Sequence, residues 1–172
     1  MERQAVFLDI DGTLCNYKGI VPPSAIAAVR SARQAGHLVV LCTGRSRAEI
    51  YPDLWDIGVD GLIGGNGNYV EFHEKVLLHQ LISAADAREI VDWLHERVLE
   101  FFLESNNGLF ASEHLETAGE PVIRAYAEGK GQNDAASLTV REAFPEMIFD
   151  GELYRDDLNK VSFILKDFQD FQ

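Results

Sequence analysis

The chain has 172 residues, 47% apolar and 25% charged, with a net charge of −13 from 15 Lys+Arg against 28 Asp+Glu. This is globular composition, long enough for one domain or one domain with a small insertion, and no apolar run approaches the about 18 residues of a membrane span. So acidic a surface repels a nucleic-acid backbone, and two cysteines 27 positions apart, Cys15 and Cys42, make neither a metal-ligand pattern nor a disulfide framework, as in a reducing cytoplasm.

Met1-Glu2-Arg3-Gln4 leads into too few apolar residues for a secretory signal. Ala5-Val6-Phe7-Leu8 is a short apolar run ending in Asp9-Ile10-Asp11-Gly12-Thr13, which predicts a buried strand and a polar loop. Pro22-Pro23-Ser24 opens a helix with Ala25, Ile26, Val29 and Ala32 on one face and Gly36 as its stop. His37–Cys42 reads as a second strand, followed by Thr43-Gly44-Arg45-Ser46 and a helix running through Ile50 and Leu54. Cys42 is expected to be a small buried hydrophobe. Asp60–Ile63 reads as a third strand. Strand, helix, strand, helix, strand predicts an α/β fold, a Rossmann-like parallel sheet with helices on its faces, whose ligands bind at the carboxyl ends of the strands.

After Gly64-Gly65-Asn66-Gly67, two apolar segments around His73-Glu74-Lys75 predict a hairpin. Ser83 begins a helix with Asp86 three positions on and Ala87, Ile90, Val91, Leu94 and Val98 on one face. Asn106-Asn107-Gly108 separates two strands. Helical stretches follow at 121–128 and 137–144. Asn159–Leu165 alternates as a strand, with Val161, Phe163 and Leu165 on one face, and Lys166-Asp167-Phe168 starts another helix. The texture changes near Ser83, so residues 1–82 are expected to be open parallel α/β and 83–172 a separate α+β unit.

Asp9 and Asp11 are the informative pair. Two residues apart in extended chain, they point the same way at a strand end, with Gly12 letting the backbone turn. Adjacent carboxylates need a shared proton or a cation, and Mg²⁺ suits oxygen donors. An EF-hand is a poorer match: Gly12 stands fourth from Asp9 rather than sixth, behind a strand rather than a helix. Such a pair suits phosphoryl transfer, one carboxylate attacking phosphorus and the other moving the proton. Thr43-Gly44, at the end of the next strand, offers a hydroxyl, backbone N–H groups and a helix start to phosphate oxygens.

Phe7-Leu8-Asp9-Ile10-Asp11-Gly12-Thr13-Leu14 resembles the first motif (DxDGT) of the haloacid dehalogenase-like phosphohydrolases, and Leu41-Cys42-Thr43-Gly44-Arg45-Ser46 resembles their second. Gly64–Asn68, Glu104–Phe110 and Asn159–Phe163 are similar to the Cof-type subfamily. The resemblance implies a Mg²⁺-dependent phosphatase acting through an aspartyl-phosphate on a small phosphorylated metabolite in the cytoplasm. It makes Asp9 the nucleophile and a Mg²⁺ ligand, and Asp11 the general acid/base, binding Mg²⁺ through its carbonyl. It places Gly12, Thr43 and Gly44 at the phosphoryl group, and Asn66 near the substrate. Arg45 is expected either at the substrate or bracing the cap. Residues 83–172 become an inserted α/β cap, and closure of a cap excludes water.

The family's third motif, a lysine, and its fourth, GDxxND, belong after the cap. Gly129-Lys130-Gly131-Gln132-Asn133-Asp134 imitates the fourth but carries Lys130 where the acid belongs, and Lys160 sits on a cap-like strand. The expectation is therefore a chain that ends within its cap and has little or no activity alone, with an uncovered sheet edge open to self-association. A non-catalytic fragment, or a module that takes phosphate on aspartate and signals, is the alternative. The histidines lack ligand spacing; Trp55 and Trp93 are expected in packing roles, as is Cys15.

Overall fold

The computed structural model describes residues 2–16 and 19–167, in two units, Met1–Gln80 and Leu81–Gln172. In the first unit, β1 (Ala5–Leu8), β2 (Leu38–Cys42) and β3 (Gly61–Gly64) pair in parallel, and β4 (Tyr69–Phe72) and β5 (Lys75–His79) extend the sheet antiparallel in the order β1-β2-β3-β4-β5. Helix α1 (Pro23–Gln34) starts with proline at its first position, where the missing N–H costs nothing. The predicted hairpin closes tightly. Phe72 pairs with Lys75, leaving His73 and Glu74 as a two-residue loop with φ of 47° and 61°, as a type I′ turn requires.

The helix expected through Ile50 and Leu54 does not form as one piece. A 3-10 turn spans Arg47–Glu49, and α2 (Pro52–Trp55) is a separate four-residue helix. Pro52 is the reason: it holds Tyr51 extended, at φ −69° and ψ 161°, which ends any helix arriving from upstream.

Helices on both faces were expected, but α1 and α2 share one. Val29 of α1 and Leu54 of α2 enter the same core as Ile10, Val39, Leu41 and Leu62. Both crossovers step the same way across the sheet, and two crossovers of one hand then lie on one side. The opposite face carries Phe7, Val40, Cys42, Ile63, Val70 and Leu78 in register, outside that core. Phe7 is 58% exposed, and Cys42 is exposed rather than buried as expected, because no described helix crosses this face.

In the second unit Ser83 caps α3 (Ala84–Glu96), its side chain accepting from the Asp86 N–H at 3.1 Å. Ala87, Val91 and Leu94 are buried as expected, whereas Val98 lies beyond the helix at φ 54° and is exposed. Strands β6 (Phe101–Ser105), β7 (Gly108–Ala111), β8 (Met147–Ile148) and β9 (Leu158–Phe163) form a sheet in the order β8-β7-β6-β9. Strand β8 was not anticipated, since two residues show no period. β9 ends at Phe163, so Leu165 falls outside it. Residues 166–167 form a bend, and the rest of the helix expected there lies outside the described residues.

Helix α4 (Leu115–Gly129) begins six residues before the proline taken as its start and carries Pro121 inside. Burial of Leu115 fixes that start instead. The short helix α5 (Val140–Ala143) is closed by a capping box between Thr139 and Glu142. This second sheet is covered on both faces. Phe101, Leu103 and Phe110 meet α3, while Leu109 and Ala111 meet Leu115 of α4 and Val140 of α5.

Candidate active site

β1 ends at Leu8 and the chain turns at once. The Ile10 carbonyl accepts from the N–H groups of Leu14 and Cys15 at 3.1 and 3.0 Å, and Gly12 N–H donates to the Cys15 carbonyl at 2.9 Å. Gly12 sits at φ 82°, open to glycine at little cost. Ile10 is fully buried and anchors the loop, while its neighbours Asp9 and Asp11 are both exposed. The core thus takes the residue between the carboxylates and leaves both to solvent.

Each carboxylate has a partner. Thr13 Oγ1 donates to Asp9 Oδ2 at 2.9 Å. Arg45 grips Asp11 with two bonds, Nε–H to Oδ2 at 3.0 Å and Nη2–H to Oδ1 at 2.6 Å. Asp11 pushes the Arg45 guanidinium further up from an already high value, against its burial, so it is cationic at any working pH. The cation expected beside the acid pair is, at Asp11, supplied by the chain. Thr13 was not singled out from sequence. Its signal was four-residue spacing from Asp9 within a tight turn.

The loop after β2 is tied to the loop after β3. Thr43 N–H donates to the Ile63 carbonyl at 2.9 Å, and Gly65 N–H donates to the Arg45 carbonyl at 2.7 Å. Asn66 stands at φ 59°, and a Cβ on Gly44 would lie 2.9 Å from its Oδ1. Any side chain at 44 would make the Asn66 amide shift. Asp11, Thr43, Gly44, Arg45 and Asn66 are therefore linked through contacts at the carboxyl ends of β1, β2 and β3; Asp9 and Gly12 lie on the same β1 loop.

The helix start expected at Thr43-Gly44 is absent. Thr43 Oγ1 instead accepts from Arg45 N–H at 3.2 Å. Ser46 and Glu49 close the following turn, Ser46 N–H donating to Glu49 Oε2 at 2.7 Å. Cys15, beside this loop, is buried and donates to the Ile10 carbonyl at 3.2 Å. Burial first and the Asp11 charge second push its thiol up, which suits packing rather than nucleophilic work.

For a hard cation the donor type is right and the number is short. Among the described residues no group of three or more His, Cys, Asp or Glu could hold a metal. Mg²⁺ bound through one or two carboxylates fills its shell with water and phosphate oxygens. With both Asp11 carboxylate oxygens bonded to Arg45, the Asp9 carboxylate is the charged donor such an ion would meet. Lys160 lies elsewhere, on β9, with its Nζ 2.9 Å from Glu104 Oε2. Lys130 follows α4 as its C-cap residue. Neither belongs to the Asp9 loop.

The profile of the haloacid dehalogenase-like hydrolases matches residues 6–172. YkrA of Bacillus subtilis (strain 168) is 32% identical over 77 residues, 45% of this chain and 30% of that protein. The pyridoxal phosphate phosphatase YbhA of Escherichia coli (strain K12) is 32% identical over 99 residues, 56% of this chain and 36% of that one. The chain thus spans about a third of the length of these two curated relatives. A haloacid dehalogenase-like hydrolase from B. subtilis shares the fold, with a TM-score of 0.68 at 19% identity, covering 94% of this chain and 59% of that one. No helix among the described residues is long and apolar enough to cross a membrane.

Proposed function

The chain belongs to the haloacid dehalogenase-like hydrolases, and from that membership we propose that its first unit carries the phosphoryl-transfer site of a phosphomonoester hydrolase. The supporting observation is the exposed Asp9–Asp11 pair at the end of β1, tied through Arg45 to the loops after β2 and β3. An Asp9 carboxylate oxygen attacks phosphorus, the ester P–O bond breaks, and the electron pair leaves with the alcohol oxygen. Asp11, once an oxygen released by Arg45 has taken up a proton from solvent, delivers that proton to the leaving oxygen, then takes one from the water that hydrolyses the aspartyl-phosphate.

Both Asp11 oxygens are held by Arg45, so proton transfer requires Arg45 to release one. The anionic oxygens of a phosphate ester are an alternative partner for the guanidinium. Thr43, Gly44 and Gly12 hold the phosphoryl group, with Asn66 beside it. Asp9 and the Asp11 carbonyl would hold Mg²⁺, which neutralises charge on the phosphoryl group when bound. The second unit is the substrate-selecting cap. A compact phosphorylated metabolite in the cytoplasm, of the size of the pyridoxal phosphate named for YbhA, is the substrate class.

With two acids and no third, Mg²⁺ is held weakly, and turnover by these 172 residues falls far below the roughly 10 s⁻¹ common for enzymes. The test is phosphate release from p-nitrophenyl phosphate with Mg²⁺, alongside ¹⁹F NMR of beryllofluoride, a mimic of aspartyl-phosphate. Slow release and a bound ¹⁹F signal, both lost in Asp9→Asn, are expected. A bound signal that survives Asp9→Asn would remove Asp9 from its role.

A further inference from the structure

The amino ends of the same parallel strands carry a second polar site. Arg3 precedes β1, His37 precedes Leu38 at the start of β2, and Asp60 precedes β3. With Arg30 and Arg33 of α1 they line a cavity of about 440 Å³. That volume is within the range of small-ligand sites. Strands of four or five residues separate it from the Asp9 loop by roughly 15–20 Å.

Three of the chain's 15 Lys+Arg converge here, in a protein of net charge −13. Asp60 is the single carboxylate among the described lining residues, and it is already committed. Arg33 Nη2 donates to one of its oxygens at 2.8 Å, and Val39 N–H donates to the other at 2.8 Å. Arg30 is fixed by the carbonyls of Asp56, from Nη2 at 2.8 Å, and Ile57, from Nε at 3.3 Å. Each guanidinium has five donors, so these contacts orient both and leave donors over. His37 Nδ1 accepts from Gln4 N–H at 3.2 Å, which puts its proton on Nε2 and makes it a donor as well.

A structural role for these arginines is the competing account. Helix α1 ends at Gln34, and cations there complement a helix dipole of about half a negative charge. The magnitudes decide. Three guanidinium charges less Asp60 leave two positive charges, and the dipole removes about half of one. The cavity remains positive and lined by donors; the Gln34 amide there carries an acceptor oxygen but no charge to offset them.

We infer that this cavity, at the sheet end opposite Asp9, binds a small polyanion carrying phosphate or carboxylate groups. The planar forks of Arg30 and Arg33 suit either group. The inference is independent of the phosphatase reading, because no residue is shared.

The test is a ¹⁵N NMR titration of the 172-residue chain with inorganic pyrophosphate, without Mg²⁺. Saturable shifts at Gly36, His37, Leu38 and Asp60 amides are expected, with citrate competing for the same amides. Arg3→Glu should weaken binding at least about tenfold, since Arg3 is exposed and its charge reverses. Arg3→Gln, which removes charge only, covers the case in which the reversal misfolds. Thr43→Ala should leave this binding unchanged. Shifts confined to residues 43–45 and 66, no saturation, or affinity indifferent to both Arg3 variants would each overturn the inference. So would equal shifts with chloride at matched ionic strength.

Discussion

The two units use the same materials to opposite ends. The first holds seven Lys+Arg against nine Asp+Glu, the second eight against 19, so net charges are −2 and −11. Yet the first unit presents Asp9 and Asp11 in solvent at the end of β1 while burying Asp60, and the second buries Glu104 within its sheet. Glu104, 1% exposed, lies between Lys160 Nζ at 2.9 Å and Ser162 Oγ at 2.6 Å. Its Oε2 is met by the Lys160 ammonium and its Oε1 by the Ser162 hydroxyl. The sheets differ likewise: α1 and α2 both pack on one face of the first, and helices pack on both faces of the second. Acidic side chains therefore differ in setting: Glu104 is enclosed within the second unit's sheet, whereas Asp9 and Asp11 stand exposed in the loop after β1.

Substitutions at both sites would break or sharpen this contrast. The largest effect is expected for Asp11→Asn, which should lower phosphate release by about 100-fold or more. Its effect on the melting temperature should be small, because the Arg45–Asp11 pair is partly exposed and such pairs contribute little. Parallel assays and calorimetry check both. A large stability loss with activity intact would make the pair structural and erase the difference between the units.

Lys160→Met should act in the opposite way, destabilising the second unit by about 2–3 kcal/mol in denaturant titration by leaving a buried carboxylate unpaired. Beryllofluoride binding should survive. Equal stability of the variant would show Glu104 to be protonated or hydrated without its lysine.

Asp60→Asn tests the buried acid of the first unit, with a loss of about 1–2 kcal/mol. Burial raises its carboxyl, but the bonds from Arg33 and Val39 outweigh that and hold it below the usual range. A lowered folded value means the contribution is fully present above about pH 4 and is lost as pH falls through the folded value. The stability gap between wild type and variant should therefore close in acid. A gap that does not narrow at all as pH falls below about 4 would point to packing rather than charge. The smallest effect is expected for Arg141→Gln. Its bonds to Glu116, at 2.6 and 2.8 Å, are exposed, so thermal unfolding should change little.

Local chemistry made much of this molecule legible. Pro23, the apolar segments around His73-Glu74-Lys75 and the Ser83 cap announce a helix, a hairpin and a helix, which formed there, with Lys75 drawn from the expected loop into β5. The Asp9–Asp11 pair stood out because the apolar run before it ended abruptly. Elements that leaned on distant partners were misjudged. Strand β8 exists only because β7 offers it an edge, and α4 tolerates Pro121 because Leu115 is buried. Cys42 ends an apolar run, yet it lies on the side of the sheet that neither α1 nor α2 covers.

Sequence alone determined the parallel strand–helix alternation, the acid pair with its glycine, and the family those residues resemble. Each depends on spacings of a few residues, which a backbone with fixed turn and strand geometry converts directly into position. Only the tertiary structure decided that Arg45 closes on Asp11 across 34 positions, that Asn66 fills the space left by Gly44, and that Arg3, Arg30 and Arg33 meet at the far end of the sheet. Those meetings depend on the crossovers that set β1, β2 and β3 side by side, and no local period encodes which distant residue a crossover will bring alongside.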